Sequence, residues 1–474
     1  MTTNYRAFIY AQLGYILLII LSLIMFPGAS FFSTLLTMIG VWVFISMVYR
    51  RAPWRNSVGW WTLLIATTLM AVGVIVNVHY FTAQAGATTE LPVLLNPDSA
   101  RFYNDALYTT GYSQGVPTEI KNHGYGLLTS WLWHITGVTI VAPIVVNMIV
   151  MLLSIILCGG IAWRMLRGET PKSGRWIASC AMLMSASVCY FLNSGTLFLK
   201  EALIIFAFSL ITFAMTSLVN CSSRRKVNIT MMIMFGIGIV ILVFLRYTFL
   251  FMPVIGILIL VKWQRRQLSM GAMFLGICVL GWIMSIIFYS TSLVFDTTIN
   301  IIEGEKLADS FFSGDPQHYA YNAVVDGYFD FPWWKRILYL PLSAAVQYLI
   351  PLPWGFADDI HYGYTLAYAH FSYPWYAVGC LVLYYLLCAA RRSPDILRRM
   401  TFWGLLMWLV PAYLFAGTVS RYTLPILPLL IPAAVYVAAL WKTFATMKRW
   451  IWCYSILLII GLVGGYVMQK GGLG

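Results

Sequence analysis

The sequence predicts an all-α polytopic membrane protein with about 13 transmembrane helices. Three observations predict it. Of the 474 residues, 61% are hydrophobic and only 10% charged, a balance outside that of water-soluble domains. Apolar stretches recur near the length a bilayer requires. Lys and Arg gather in the short connections between alternate stretches, the pattern of the positive-inside rule.

The predicted spans are 8–27, 31–49, 58–80, 139–163, 176–193, 198–220, 228–245, 248–263, 269–290, 373–390, 400–416, 423–441 and 450–468. The first apolar run is long, is preceded only by Arg6 among the basic residues, and leads straight into the second. It is read as a retained span, not a signal peptide. With the N-terminus inside, 21 of the 30 Lys and Arg residues fall in cytoplasmic segments such as RRAPWRNS, SSRRKVN and RRSPDILRR. These turns are too short for a nucleotide-binding domain. The net charge of +14 therefore reflects topology, and no nucleic-acid partner is implied.

Acidic residues contribute little to orientation. Only Glu169 and Asp395 of the 16 fall inside, and all six histidines fall outside. The eight cysteines (158, 180, 189, 221, 278, 380, 388, 453) lie in spans or at their cytoplasmic ends, with no disulfide or zinc spacing.

Two long external segments, about 81–138 and 291–372, exceed ordinary connection length. Within them, 123–137 is too brief to cross, and 337–353 cannot cross because the chain must be outside at both ends of its loop. Both are read as interfacial or re-entrant helices, the second anchored at headgroup level by Trp333, Trp334, Lys335 and Arg336.

The first external loop brings Asp98, Tyr103, Asp105 and His123 to the membrane surface, and a carboxylate there could act as a general base. Lys200 and Glu201 sit at the outer end of a span, Arg246 separates two apolar runs, and Arg421 opens a Pro-rich span. Each is also what an ion pair, a hairpin turn or an interface anchor would supply. Three cations at one depth are what a lipid phosphate requires.

The order Asp98, Tyr103, Ala106, then HGYGLLTSWLWHITG, then LKE, then SRYTLPILP resembles the bacterial GT-C membrane glycosyltransferases that use polyprenyl-phosphate sugars. The resemblance covers roughly 58–441. It leaves 1–57 as two added N-terminal helices and 442–474 as a C-terminal helix. Two spans precede the one leading to the Asp loop, whereas the family usually places that Asp after its first span, and the adjacent acidic pair of many members is absent.

The resemblance implies transfer of a sugar from a polyprenyl-phosphate carrier to a lipid- or glycan-linked acceptor. The reaction would take place on the extracytoplasmic face of the bacterial inner membrane. It makes Asp98 the base and Lys200, Arg246 and Arg421 the donor-phosphate ligands. Tyr103, Asp105, His123, Glu201, Asp358 and Asp359 would serve positioning or acceptor contact. The external acids could hold a divalent cation, although no ligand spacing singles one out.

Two other readings fit the sidedness. One is a polysaccharide polymerase or O-antigen ligase using a lipid-diphosphate-linked glycan. The other is a lipid-linked sugar transporter or flippase, which is disfavoured by the uncharged centres of nearly all spans.

Overall fold

The computed structural model describes residues 10, 29–75, 97–111, 123–138, 140–188, 195–219, 229–262, 264–291, 294, 332–349, 372–414 and 425–470. Among these every regular element is helical, as lipid demands of a chain without a closed barrel. In order they are α1 (Ala29–Arg50), α2 (Ser57–Ile75), α3 (Pro97–Thr109), α4 (His123–Thr136), α5 (Val141–Leu166), α6 (Gly174–Ser187), α7 (Glu201–Val219) and α8 (Ile229–Arg246). There follow α9 (Phe251–Leu260), α10 (Arg265–Tyr289), α11 (Trp333–Leu349), α12 (Ser372–Tyr384), α13 (Asp395–Leu414), α14 (Leu427–Ala439) and α15 (Met447–Lys470).

Seven helical segments among the described residues are long and apolar enough to cross a membrane: Ser57–Ile75, Val141–Leu166, Glu201–Leu218, Ile229–Phe249, Arg265–Tyr289, Pro374–Arg392 and Met447–Gly464. Thr34–Arg50, Phe251–Leu260 and Leu427–Ala439 are apolar but shorter. The expected span 8–27 lies outside the described residues, apart from Tyr10.

Two expected spans hold shorter helices among the described residues. α6 ends at Ser187, where Val188 is extended, and 189–193 lie outside the described residues. α9 keeps ten residues of 248–263, about 15 Å of helix. The reason for the second is local: Tyr247–Phe249 forms a 3-10 turn that consumes the start of the run, and Lys262 and Arg265 follow its end.

α5 is the hub, with α1, α2, α4, α6, α7, α13 and α14 all packed on it. α14 is buried on nearly every side. α10 and α15 instead turn Leu280, Ile287, Leu457 and Ile460 outward, the apolar surface expected of helices facing lipid.

The basic connections share one end of the bundle. Asn56 caps α2 by accepting from Gly59 N at 2.8 Å, and its Nδ2 donates to Arg175 O at 2.9 Å. Tyr436 near the end of α14 donates to Arg392 O at 3.0 Å. Asp395 at the start of α13 is bridged by Lys262 (3.1 Å), Arg398 (3.2 Å) and Arg399 (2.9 Å), while Arg399 Nη1 also reaches Ile259 O at 2.9 Å. Burial would raise the Asp395 pKa, but the hydrogen bond from Lys262 and the charges of Arg399 and Lys262 outweigh it and hold the carboxyl below its ordinary range.

A depressed native pKa contributes stability above the unfolded value, near pH 4, which is lost as pH falls through the native value. Asp395→Asn should therefore lower the unfolding midpoint in detergent at pH 7 by a few degrees, on the order of 1 kcal/mol for such solvent-accessible pairs. The gap to wild type should hold from pH 7 to about 5 and close below about 4. A gap unchanged at pH 3 would remove the clamp from the account.

Candidate functional site

At the opposite end of α5 the chain builds a second polar layer. Asn147 is the lone amide in the apolar run VAPIVVNMIVML and is fully buried. Its Nδ2 donates to Leu197 O and Leu199 O, both at 2.8 Å, and to Tyr125 Oη at 3.0 Å. Residues 195–200 are non-helical, so those two carbonyls lack a helix ladder, and the amide supplies the donors that lipid cannot.

That tie fixes the start of α7. Lys200 O accepts from Leu203 N and Ile204 N, making Lys200 the residue that opens the helix and Glu201 the first within it. An acid there complements the positive helix end.

Around this point four elements meet. α3 packs on α4, and α4 packs on α5 and α8. Phe102 of α3 lies 5.2 Å from Tyr125 of α4, which lies 5.4 Å from Phe198. Tyr103 contacts Trp133 at 5.3 Å and Phe198 at 6.4 Å. The Lys200 ammonium stands 5.3 Å from the Phe102 ring centroid, a cation–π approach. Burial raises the pKa of Tyr103. Burial also raises that of Tyr125, with the Asn147 hydrogen bond opposing and the Glu201 charge adding. Both phenols stay protonated near neutrality.

α4 approaches its neighbours through glycines. A Cβ on Gly124 would fall 1.8 Å from Phe244 O of α8, and one on Gly126 would fall 2.9 Å from Asp105 Cβ. α7 and α8 run antiparallel: Arg164 of α5 reaches both Thr216 Oγ1 and Met231 Sδ, and Gly238 abuts Ala207 O and the Ile211 side chain. Equal rise on both helices carries Arg246 to the level of residues 199–203. Arg246 ends α8, where a cation complements the negative helix end, and its guanidinium lies 5.2 Å from the Phe249 ring.

The sequence-predicted residues therefore divide. Tyr103, Asp105, Lys200, Glu201 and Arg246 come to one end of the bundle. Asp105, Lys200 and Glu201 are 1%, 5% and 7% exposed. Asp98 lies in the first turn of α3 and His123 at the first residue of α4, but their side chains are outside the described set. Arg421, Asp358 and Asp359 lie outside the described residues. Asn147, Tyr125, Phe102 and Phe198 join the site without having been singled out from sequence. Of these, Asn147 carried a signal as the lone amide of an apolar run, and Tyr125 lies within the HGYGLLTSWLWHITG segment.

Among the described residues no three His, Cys, Asp or Glu side chains gather as metal ligands. What the arrangement offers is two cations and a helix N-terminus at one level, suited to an anion, beside buried acids and a wall of aromatic rings.

The close approach of α4 to α8 is testable. Gly124→Ala should cost about 1 to 3 kcal/mol, since the obstructing atom is a backbone oxygen that cannot rotate aside. Gly276→Ala on α10, with nothing within 4 Å of its new methyl, should leave stability unchanged or raise it by up to about 1 kcal/mol. Equal midpoints for both variants in thermal unfolding would refute this packing. Compared with known proteins, the chain matches no family model, no curated protein and no solved structure.

Proposed function

We propose that this chain is an integral membrane glycosyltransferase that moves a sugar from a polyprenyl-phosphate carrier to a lipid- or glycan-linked acceptor. In this reading it carries about 13 crossings of a bacterial inner membrane, the number its apolar stretches allow. Its N-terminus is cytoplasmic, and residues 58–441 form a GT-C-like core.

One observation supports the reading most: Lys200, Glu201, Asp105 and Arg246 share one end of the α5–α7–α8 packing, while the short basic connections share the other. By the positive-inside rule the basic end faces the cytoplasm, leaving the mixed-charge end outside. A donor delivered in the outer leaflet needs no soluble nucleotide site. Departure of the carrier phosphate calls for cations where negative charge develops, the role given to Lys200 and Arg246, with Arg421 as the third. The acceptor hydroxyl needs one base, assigned to Asp98 in the first turn of α3. Tyr103, Asp105, His123 and Glu201 position the base or the acceptor, as do Asp358 and Asp359.

With purified protein in liposomes and a labelled polyprenyl-phosphate sugar, Asp98→Asn should lower transfer by at least about a hundredfold, the scale of a lost general base, with insertion unaffected. Lys200→Ala and Arg246→Ala should weaken donor binding more than acceptor binding. Wild-type turnover by Asp98→Asn, or unchanged donor affinity in both cation variants, would defeat these assignments. In a cysteine-free background, a cysteine near residue 98 or 310 should react with an impermeant thiol reagent from outside, and one near 170 should not. The reverse pattern would invert the topology.

A further inference from the structure

The basic connections divide by what holds their charges. At the start of α13, Asp395 takes Lys262, Arg398 and Arg399 into ion pairs. The α1–α2 connection (50–56) and the α5–α6 connection (164–175) instead hold one acid, Glu169, against seven bases. Two of the seven are spent inside the protein. Arg55 Nη1 donates to Arg50 O at 3.0 Å, and Arg164 donates to Phe213 O and Thr216 Oγ1. Arg50, Arg51, Arg167, Lys172 and Arg175 are exposed.

These five stand on a pinned base. Asn56 joins the two connections through Arg175 O, and Ser179 Oγ donates to Asn56 Oδ1 at 2.6 Å. Trp54 packs on Trp163 with centroids 5.6 Å apart. The Arg167 guanidinium lies 4.2 Å from the Trp163 ring centroid, and the Lys172 ammonium 5.5 Å from that of Trp176, cation–π contacts that hold charge beside indoles. Orienting a chain in a membrane needs only a count of Lys and Arg. It does not need them gathered on pinned turns, where like charges repel. A bound anion offsets that repulsion.

The adjoining surface narrows the anion. Arg50 follows Met47 by three positions, on the same face of α1, and Met47 is exposed. Across the turn, Val58 and Trp61 of α2 are exposed as well. Cations suited to a phosphate thus meet an outward apolar strip within two turns of helix. A phospholipid fills both, with its headgroup and its acyl chains. A soluble phosphate or an acidic peptide would leave the strip uncovered.

We propose that the α1–α2 and α5–α6 connections form a docking surface for an anionic phospholipid headgroup, whose acyl chains lie along Met47, Val58 and Trp61. The surface neither requires sugar transfer nor supports it.

Native mass spectrometry of the detergent-purified full chain, with phosphatidylglycerol or phosphatidylcholine added, tests this. Wild type should hold phosphatidylglycerol at least about tenfold more tightly, and Arg50→Gln/Arg51→Gln/Lys172→Gln/Arg175→Gln should lose that preference. A control neutralising four exposed bases elsewhere, Arg391→Gln/Arg392→Gln/Lys442→Gln/Lys448→Gln, should keep it. Without lipid, the first variant should unfold at or above the wild-type midpoint, because repulsion is relieved. A lower midpoint would show these side chains bonded within the protein and overturns the proposal. So do equal affinities of wild type for the two lipids, a preference retained by the first variant, or equal loss in both variants. Displacement of phosphatidylglycerol by equimolar glycerol phosphate would mark a soluble-phosphate site, and tighter binding of decaglutamate an acidic protein partner. Either result also overturns it.

Discussion

The polar end of this molecule depends on one side chain in the hub helix. Inside lipid a backbone carbonyl outside a helix ladder must find a donor in the protein, and Leu197 and Leu199 present two such carbonyls just before α7. Asn147 serves both. Seventeen residues further along α5, about 26 Å at helical rise, Arg164 donates to Phe213 O and Thr216 Oγ1 and lies 4.0 Å from the Phe213 ring centroid. α7 is thereby tied near both ends by a single neighbour. The spacing of the ties is close to the thickness of a bilayer core. Between them the buried hydroxyls of Ser154 and Ser209 bond back to carbonyls of their own helices, so the middle of this packing carries no fixed charge.

Placing three ionisable groups under a tenth exposed at one end is costly unless opposite charges and dipoles compensate. Asp105 and Glu201 are acids, Lys200 and Arg246 bases, and both helix ends there carry the favourable sign: Glu201 in the first turn of α7, Arg246 in the last turn of α8. Packing removes the remaining freedom. The ring contacts from Phe102 through Tyr125 to Phe198, together with the glycine approaches of α4, hold the polar groups on short, well-anchored segments. Groups fixed before a ligand arrives stabilise developing charge better than groups that must reorganise.

How much of this was legible in the sequence follows from what lipid selects. A span is written locally, as an apolar run of sufficient length, so α5 and α10 appear within a few residues of their expected bounds. Partners are not written locally. Asn147 stands out as an isolated amide, but nothing in the run says that it serves carbonyls fifty residues away. Lys335 and Arg336 read alike as headgroup anchors, although consecutive helical positions point about 100° apart. Lys335 stays exposed while Arg336 turns inward. α9 loses length because the 3-10 turn after Arg246 takes residues that hydropathy alone assigns to the span. The site is similarly mixed: the sequence sets Lys200 and Arg246 at one depth, but the antiparallel packing of α7 and α8 that makes their helices neighbours is not written in it.

The distribution of polarity also bears on what kind of work this packing can do. Moving a charged or hydroxylated substrate through a bundle requires polar groups spaced along a route. Across α5, α7 and α8 the side-chain ties of Asn147 and Arg164 form two layers, and between them the hydroxyls of Ser154 and Ser209 are occupied by their own backbones. The layer around Arg164 is bound to carbonyl, hydroxyl and thioether groups of α7 and α8, which suits a fastener. The layer around Asn147 instead combines unlike charges, a helix N-terminus and aromatic faces. On the proposed reading, this asymmetry suits chemistry at one surface better than passage through these three helices. It also gives the two ends of α5 different characters, one fastening helices and the other gathering unlike charges and aromatic faces.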